Sequence, residues 1–183
     1  MSNVWEYGCW CYFQEDHGRG RGQPQNEMDS ICQVLHHGYT CIIMDAITEG
    51  IDCDPFTHGY TTIQVLGNSN QELEVDCHTA NNGDVCATRT CLVEAQFILN
   101  FIHIGTTPGF TFDPTLKHDL GIFDPNTCKN GQGKGWIEEE CCGVYPIRYP
   151  YKTQGGDRKC CVDKTYDSTL KSCCADGTVS VSC

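Results

Sequence analysis

Sixteen cysteines in 183 residues constrain this chain more than any other feature of its sequence. Cysteine at about 9% approaches the level that marks a small fold held together by disulfides. Adjacent cysteines occur three times, and no two C-x-x-C motifs stand at zinc-finger spacing. Because two neighbouring cysteines bond each other only through a strained ring, a doublet sends its two bridges to different strands. We therefore predict a disulfide framework that leaves no free thiol.

The cysteines fall into two groups of eight, separated by 36 residues without cysteine. The first group is spaced singly and the second contains the three doublets. Two modules are predicted, residues 1–124 and residues 125–183, each able to close its own disulfides. Eight cysteines allow 105 pairings, so the connectivity within each group stays open. The groups are Cys9, Cys11, Cys32, Cys41, Cys53, Cys77, Cys86 and Cys91, then Cys128, Cys141, Cys142, Cys160, Cys161, Cys173, Cys174 and Cys183.

Apolar residues recur with a period of 3.6 in residues 25–43 and 84–104, which predicts two helices. Cysteines lie on both, so we expect an antiparallel helix pair joined by two disulfides. Gly38 is expected to weaken the middle of the first helix. Residues 60–65 and 72–75 alternate in polarity and predict a hairpin whose turn is 67–70. The predicted fold class is a small, disulfide-rich α+β fold, with short strands in the second module.

Residues 7–41 combine Tyr7-Gly8-Cys9-Trp10-Cys11, a glycine-rich segment at 18–24, Glu27-Met28-Asp29 and a helix with cysteines and histidines. This combination resembles the secreted phospholipase A-two family, in which a calcium-binding loop precedes a helix with a catalytic His-Asp pair. The resemblance covers about 35 residues and implies a two-helix scaffold. It further implies a general base that deprotonates water and a calcium ion that stabilises the oxyanion.

The chain departs from this family where the chemistry is most demanding. If His36 matches the general base, His37 replaces the aspartate that binds calcium; with a one-residue offset, Leu35 replaces the base. Imidazole is a poor ligand for calcium, which prefers oxygen. Catalysis is therefore not predicted. The weak catalytic candidates are His36 and Glu94. Glu94 lies on the second helix and could orient His36; the alternative is that it is a hydrogen-bonded, half-buried side chain.

No metal site is predicted, although calcium is the ion that the acidic residues would suit. The candidates are two aspartates that flank Cys53 and one run of glutamates, and a charge run is more often a solvated surface. No EF-hand pattern is present. These candidates are Asp52, Asp54, Glu138, Glu139 and Glu140.

The cysteine doublets of the second half are followed by tyrosines and an Asp-Gly turn, as in Cys173-Cys174-Ala175-Asp176-Gly177. This texture resembles the galaxin-type dicysteine modules of extracellular and skeletal matrix proteins, and it implies a role in assembly. Prolines hold residues 144–152 extended, so we expect this segment to contact a neighbouring chain. Packing of its aromatics within the chain is the alternative. The assembly candidates are Tyr145, Ile147, Tyr149 and Tyr151, and Trp136 is expected to be exposed beside them.

The net charge of −12 makes nucleic acid an improbable partner, because phosphate contacts need clustered lysine and arginine. Residues 1–15 show no signal-peptide pattern and no transmembrane segment is expected, yet the cysteine content predicts a secreted, extracellular protein. The leading function is structural: self-association, or association with other matrix proteins, in an extracellular matrix, fibre, cement or secretion. The alternatives are a calcium-dependent phospholipase-like enzyme or lipid binder, and a toxin-like receptor ligand.

Overall fold

The computed structural model describes residues 4, 6–11, 22–66, 73–129 and 140–183. Within these ranges the protein is a small, disulfide-rich α+β fold, as predicted. Its helices are α1 (Glu27–Glu49), α2 (Cys77–Asn81) and α3 (Val85–Thr106). Its strands are β1 (Ile63–Leu66), β2 (Leu73–Asp76), β3 (Glu140–Val144), β4 (Ile147–Tyr151), β5 (Arg158–Cys161), β6 (Lys164–Asp167), β7 (Ser172–Cys173) and β8 (Val179–Ser180).

Helix α1 forms where the apolar period predicted it and extends six residues further. Its amino end is capped by Asn26, whose side-chain oxygen accepts a hydrogen bond from the Asp29 backbone N–H at 3.0 Å. Most of its apolar stripe is buried, including Met28, Leu35 and Ile42. The helix ends before Gly50, whose φ of 70° is the left-handed conformation that terminates many helices.

Helix α3 also lies where it was predicted, but not all of its apolar residues are buried. Val85 and Ile102 are 40% and 50% exposed, whereas Val93 and Ile104 are each 2% exposed. Val93 packs directly on the Gly38 backbone of α1, so closely that a side chain at residue 38 would collide with it. Gly38 therefore permits a close helix contact, which explains a glycine in the middle of a helix.

Contacts between α1 and α3 run in opposite directions along the two helices, as expected for an antiparallel pair. Glu49 meets Arg89 at 2.7 Å, and Tyr39 donates a hydrogen bond to Glu94 further along. The prediction that two disulfides join these helices is wrong. Their four cysteines bond to residues elsewhere in the chain, in the pairs Cys11–Cys32, Cys41–Cys141, Cys53–Cys86 and Cys77–Cys91.

Helix α3 is the one helix in the described ranges that is long and apolar enough to cross a membrane. Core helices of soluble proteins meet the same criterion, so length and composition alone are weak evidence. Cys86 and Cys91 of this helix are buried in disulfides, and Glu94 accepts two hydrogen bonds from tyrosines. The expectation that the chain has no transmembrane segment stays a prediction.

Each sheet in the described ranges is a two-stranded antiparallel hairpin. Strands β1 and β2 pair with Ile63 opposite Asp76, close to the predicted positions, and their turn at 67–70 lies outside the described residues. The other three hairpins are β3–β4, β5–β6 and β7–β8, and a cysteine doublet lies in or beside the first strand of each. The second half therefore contains short strands, as its turn-rich sequence predicted.

Disulfides connect these three hairpins in series. The second cysteine of each doublet bonds forward along the chain, in the pairs Cys142–Cys160, Cys161–Cys173 and Cys174–Cys183. The first cysteine of each doublet bonds backward. The prediction that no cysteine is free is confirmed. Each doublet sends its two bridges to two different segments, as predicted, but these are not always strands, since Cys41 lies on α1 and Cys183 follows β8. We call residues 140–183, with these bridges, the hairpin ladder.

The expectation that each group of eight cysteines closes its own disulfides is wrong. Cys9–Cys128 and Cys41–Cys141 join the two groups over separations of 119 and 100 residues. The chain divides into two compact units made of non-contiguous segments: residues 1–36 with 97–136, and residues 37–96 with 137–183. Each of the eight disulfides lies within one unit.

Candidate functional site

In the first unit, Asp29 holds the amino-terminal residues 8–10 in place. Its side chain is fully buried and accepts hydrogen bonds from three backbone N–H groups: Cys9 at 2.8 Å, Trp10 at 2.7 Å and Gln25 at 2.9 Å. Gly8 lies against this carboxylate with a φ of 59°, and a Cβ atom there would collide with it. Burial raises the pKa of Asp29, while the three N–H groups act in the opposite direction. The aspartate is therefore a structural anchor.

The catalytic candidate His36 lies in the same unit and is only 4% exposed. Its Nε2 atom is 2.7 Å from the carbonyl oxygen of Trp10. A carbonyl oxygen only accepts hydrogen bonds, so Nε2 carries a proton and donates it. The role of His36 as a general base stays a prediction.

In the second unit, Glu94 has a hydrogen-bond partner for each of its carboxylate oxygens. Oε1 accepts from the hydroxyl of Tyr39, and Oε2 accepts from the hydroxyl of Tyr60 at 2.5 Å. Burial and the neighbouring carboxylate both raise the pKa values of these tyrosines. Their hydroxyls keep their protons and serve as donors. This environment suits a hydrogen-bonded structural glutamate, which was the alternative left open by the sequence. A role of Glu94 in orienting His36 stays a prediction.

The calcium candidates do not form a cluster among the described residues, where no three His, Cys, Asp or Glu side chains are grouped for metal binding. Asp54 is exposed and accepts hydrogen bonds from Phe56 N and Thr57 Oγ1, within its own turn. Glu140 accepts a hydrogen bond from the Tyr151 hydroxyl. Asp52 is exposed. Glu138 and Glu139 lie outside the described residues, and calcium binding stays untested.

The assembly candidates divide into buried and exposed residues. Tyr151 is 4% exposed, which corrects the expectation that residues 144–152 present all their aromatics to solvent. Tyr145 is half-buried and donates a hydrogen bond to Asp45 Oδ2 at 2.9 Å. Tyr149 donates to the Asp163 carbonyl oxygen, and Ile147 is 49% exposed. The aromatics thus pack partly within the chain; Trp136 lies outside the described residues.

A polar cluster that the sequence did not reveal explains why Tyr145 turns inward. Arg148 donates two hydrogen bonds to the Asp45 carboxylate, from Nε at 2.8 Å and Nη2 at 3.0 Å. The Arg89 guanidinium lies 5.4 Å from the centre of the Tyr145 ring, close enough for a cation–π contact. In the chain, Asp45 lies 100 residues from Tyr145 and 103 from Arg148, and Arg89 lies 56 residues from Tyr145, so no local pattern predicts these contacts. This cluster and Cys41–Cys141 tie the hairpin ladder to α1 within the second unit.

Aliphatic side chains, not aromatic ones, are the exposed groups at the turns of the first two hairpins of the ladder. Val144 and Ile147 are cross-strand partners beside the β3–β4 turn, 67% and 49% exposed. Val162, in the β5–β6 turn, is 62% exposed, and its carbonyl oxygen accepts a hydrogen bond from Gly143 N at 3.1 Å. We call Val144, Ile147 and Val162 the turn patch.

No family model matches this chain, and no curated protein matches it. These comparisons therefore assign the chain to no family, and the two resemblances stay hypotheses. Eight disulfides in 183 residues are typical of extracellular proteins.

Proposed function

We propose that this chain is an extracellular structural protein that self-associates through its hairpin ladder. The observation that carries the proposal is the turn patch, three exposed aliphatic side chains held on disulfide-linked hairpins. Exposed apolar groups that lie together mark association sites. A rigid, cross-linked surface loses little conformational entropy on binding, so a small patch contributes more to affinity than it would on a flexible segment.

The net charge of −12 sets the conditions for this association. Copies repel each other at low ionic strength, and the repulsion is screened beyond about 8 Å at 0.15 M salt. We therefore expect light scattering to show a larger average mass as salt, or millimolar calcium, is added. A chain that stays monomeric across this range would remove the structural proposal, and one that also binds a cell surface would favour the receptor-ligand alternative.

The turn patch is tested by replacing Val144 and Ile147 with serine together. We expect the concentration needed for association to rise about tenfold, because two exposed aliphatic contacts contribute on the order of 1.4 kcal/mol. The matched control replaces Ile47 and Val181, which are 75% and 78% exposed and lie outside the patch. An equal effect of both double variants would show that general surface hydrophobicity, and not the turn patch, drives association.

The enzymatic alternative is tested separately with a fluorescent phospholipid. We expect no calcium-stimulated release of fatty acid, because His37 stands where the resemblance requires a calcium-binding carboxylate. The measurement compares calcium, chelator and the His36→Gln variant. Turnover that needs calcium and is lost in His36→Gln would establish the enzyme instead.

A further inference from the structure

A cleft of about 470 Å³ lies between the second and third hairpins of the ladder. Its walls include the apolar side chains of Tyr166, Leu170 and Val179, and the lysines Lys164 and Lys171. Leu170 is 68% exposed, so part of this apolar wall faces solvent. A cleft of this volume, with apolar walls and a few charged groups, is suited to binding a short segment of a partner.

The cleft carries a net positive charge because two lysines and one carboxylate line it. Neither Lys164 nor Lys171 forms an ion pair within the described ranges. The one carboxylate in the lining, Asp167, accepts hydrogen bonds from the backbone N–H of Thr169 at 2.8 Å and from its hydroxyl at 2.5 Å. Two ammonium groups beside an apolar wall are complementary to carboxylates that are carried on a chain.

The sequence itself supplies such carboxylates in excess. Residues 140–183 contain six lysines and arginines against five aspartates and glutamates, a net charge of +1. The whole chain carries −12, so residues 1–139 carry −13. A second copy therefore offers the complementary surface, and complementary charge steers encounters and fixes the register of a contact.

We propose that this cleft binds acidic side chains from residues 1–139 of a second copy of the chain. This inference rests on the proposed function, and it names the contact between successive copies in the assembly. Because the cleft and its partner are different surfaces, the contact is head-to-tail. Such a contact builds open chains when the rotation between copies does not close a ring, which suits a protein that assembles into a fibre or matrix.

The test replaces Lys164 and Lys171 with glutamine together, in the full chain. The matched control replaces Lys152 and Lys159, two exposed lysines of the same ladder that line no part of the cleft. Both double variants have a net charge of −14, so any difference between them comes from position. At 0.15 M salt we expect sedimentation velocity to show association weakened about tenfold in the cleft variant and within twofold of wild type in the control.

High salt separates this contact from the turn patch. At 1 M salt the screening length is about 3 Å, so we expect the wild type and the cleft variant to associate equally, while the Val144→Ser, Ile147→Ser variant stays weaker. At 0.15 M salt, where the lysine contact forms, carbodiimide cross-linking of a mixture of isotopically light and heavy chains should join Lys164 or Lys171 to a carboxylate in residues 1–139 of another copy.

The outcomes distinguish this inference from the proposed function. If the wild type assembles and the cleft variant assembles equally well at 0.15 M salt, the cleft is not the contact and the structural proposal survives. If the cleft variant loses binding to a sulfated polysaccharide but keeps its self-association, the cleft takes a polysaccharide and our proposal is overturned. A wild type that is monomeric at every salt concentration removes both.

Discussion

At the scale of single residues, buried and half-buried carboxylates act as acceptors for specific donors. Asp29 accepts hydrogen bonds from three backbone N–H groups, Glu94 from two tyrosine hydroxyls, and Asp45 from an arginine and a tyrosine. Each such carboxylate has its burial offset by hydrogen bonds, which is the condition for a stable buried charge. Glu94 was a candidate from the sequence because it lies on the second helix and could orient His36, but only the structure identifies its partners.

The tyrosines give a pH dependence with a definite sign. Burial, together with hydrogen bonding to carboxylates for most of them, raises the pKa of five of the eight tyrosines, and that of Tyr151 rises to about 12. A group whose pKa is raised on folding contributes stability below its unfolded pKa, near 10, and this contribution is lost as pH rises through the folded pKa. The five are Tyr7, Tyr39, Tyr60, Tyr145 and Tyr151.

We therefore expect the native chain to form fewer phenolates between pH 10 and 11 than the reduced, denatured chain. Absorbance at 295 nm measures this difference, and denaturant titrations should show the free energy of unfolding falling above pH 10. A native chain in which all eight tyrosines titrate near pH 10 would contradict the arrangement of these hydroxyls.

At the scale of elements, the sequence predicted what local patterns determine. Periodicity located α1 and α3, and alternation located β1 and β2, because these depend on neighbouring side chains. The contact of Val93 with Gly38 and the Asp45–Arg148 pair join residues about 50 and 100 positions apart, so no local pattern predicts them. The same holds for the candidate site: Tyr145 and Tyr151 were identified as tyrosines of interest, but their inward contacts were not predictable.

The close contact between α1 and α3 makes Gly38→Ala a diagnostic change. A Cβ atom at residue 38 would lie 2.6 Å from Val93 Cγ1, so the helices must separate. Alanine gains about 1 kcal/mol of helix propensity over glycine, but overpacking costs about 1–3 kcal/mol, and we expect a net loss of about 1 kcal/mol in the free energy of unfolding.

Gly105→Ala on α3 is the control, because a Cβ atom there meets nothing within 4 Å. Denaturant titration should show it neutral or stabilised by up to about 1 kcal/mol. In a Val93→Ala background the effect of Gly38→Ala should become stabilising, because the clash is removed. A stabilising Gly38→Ala in the wild-type background would refute the close contact.

At the scale of the whole molecule, the eight disulfides differ widely in their reach along the chain. Cys9–Cys128 and Cys41–Cys141 close loops of more than 90 residues, while Cys174–Cys183 spans 9. The even division of cysteines suggested two self-contained halves, but the long bridges show that the halves are cross-linked. Cysteine spacing could not reveal these long bridges, because the 105 pairings counted for each group contain only bonds within that group.

The chain-entropy model of cross-linking gives these bridges different contributions. Removing Cys9–Cys128 by paired serine substitution should cost about 5 kcal/mol, whereas removing Cys174–Cys183 should cost about 2.6 kcal/mol, because the longer loop restricts the unfolded chain more. Cys9 and Cys128 are also buried, at 6% and 7% exposure, and Cys183 is exposed, so packing changes add to the first cost. Guanidinium titrations of the two variants at equal protein concentration measure the difference. If both variants unfold at the same denaturant concentration with the same slope, the long bridge does not restrain the unfolded chain, and the stability of the first unit must come from its packed side chains.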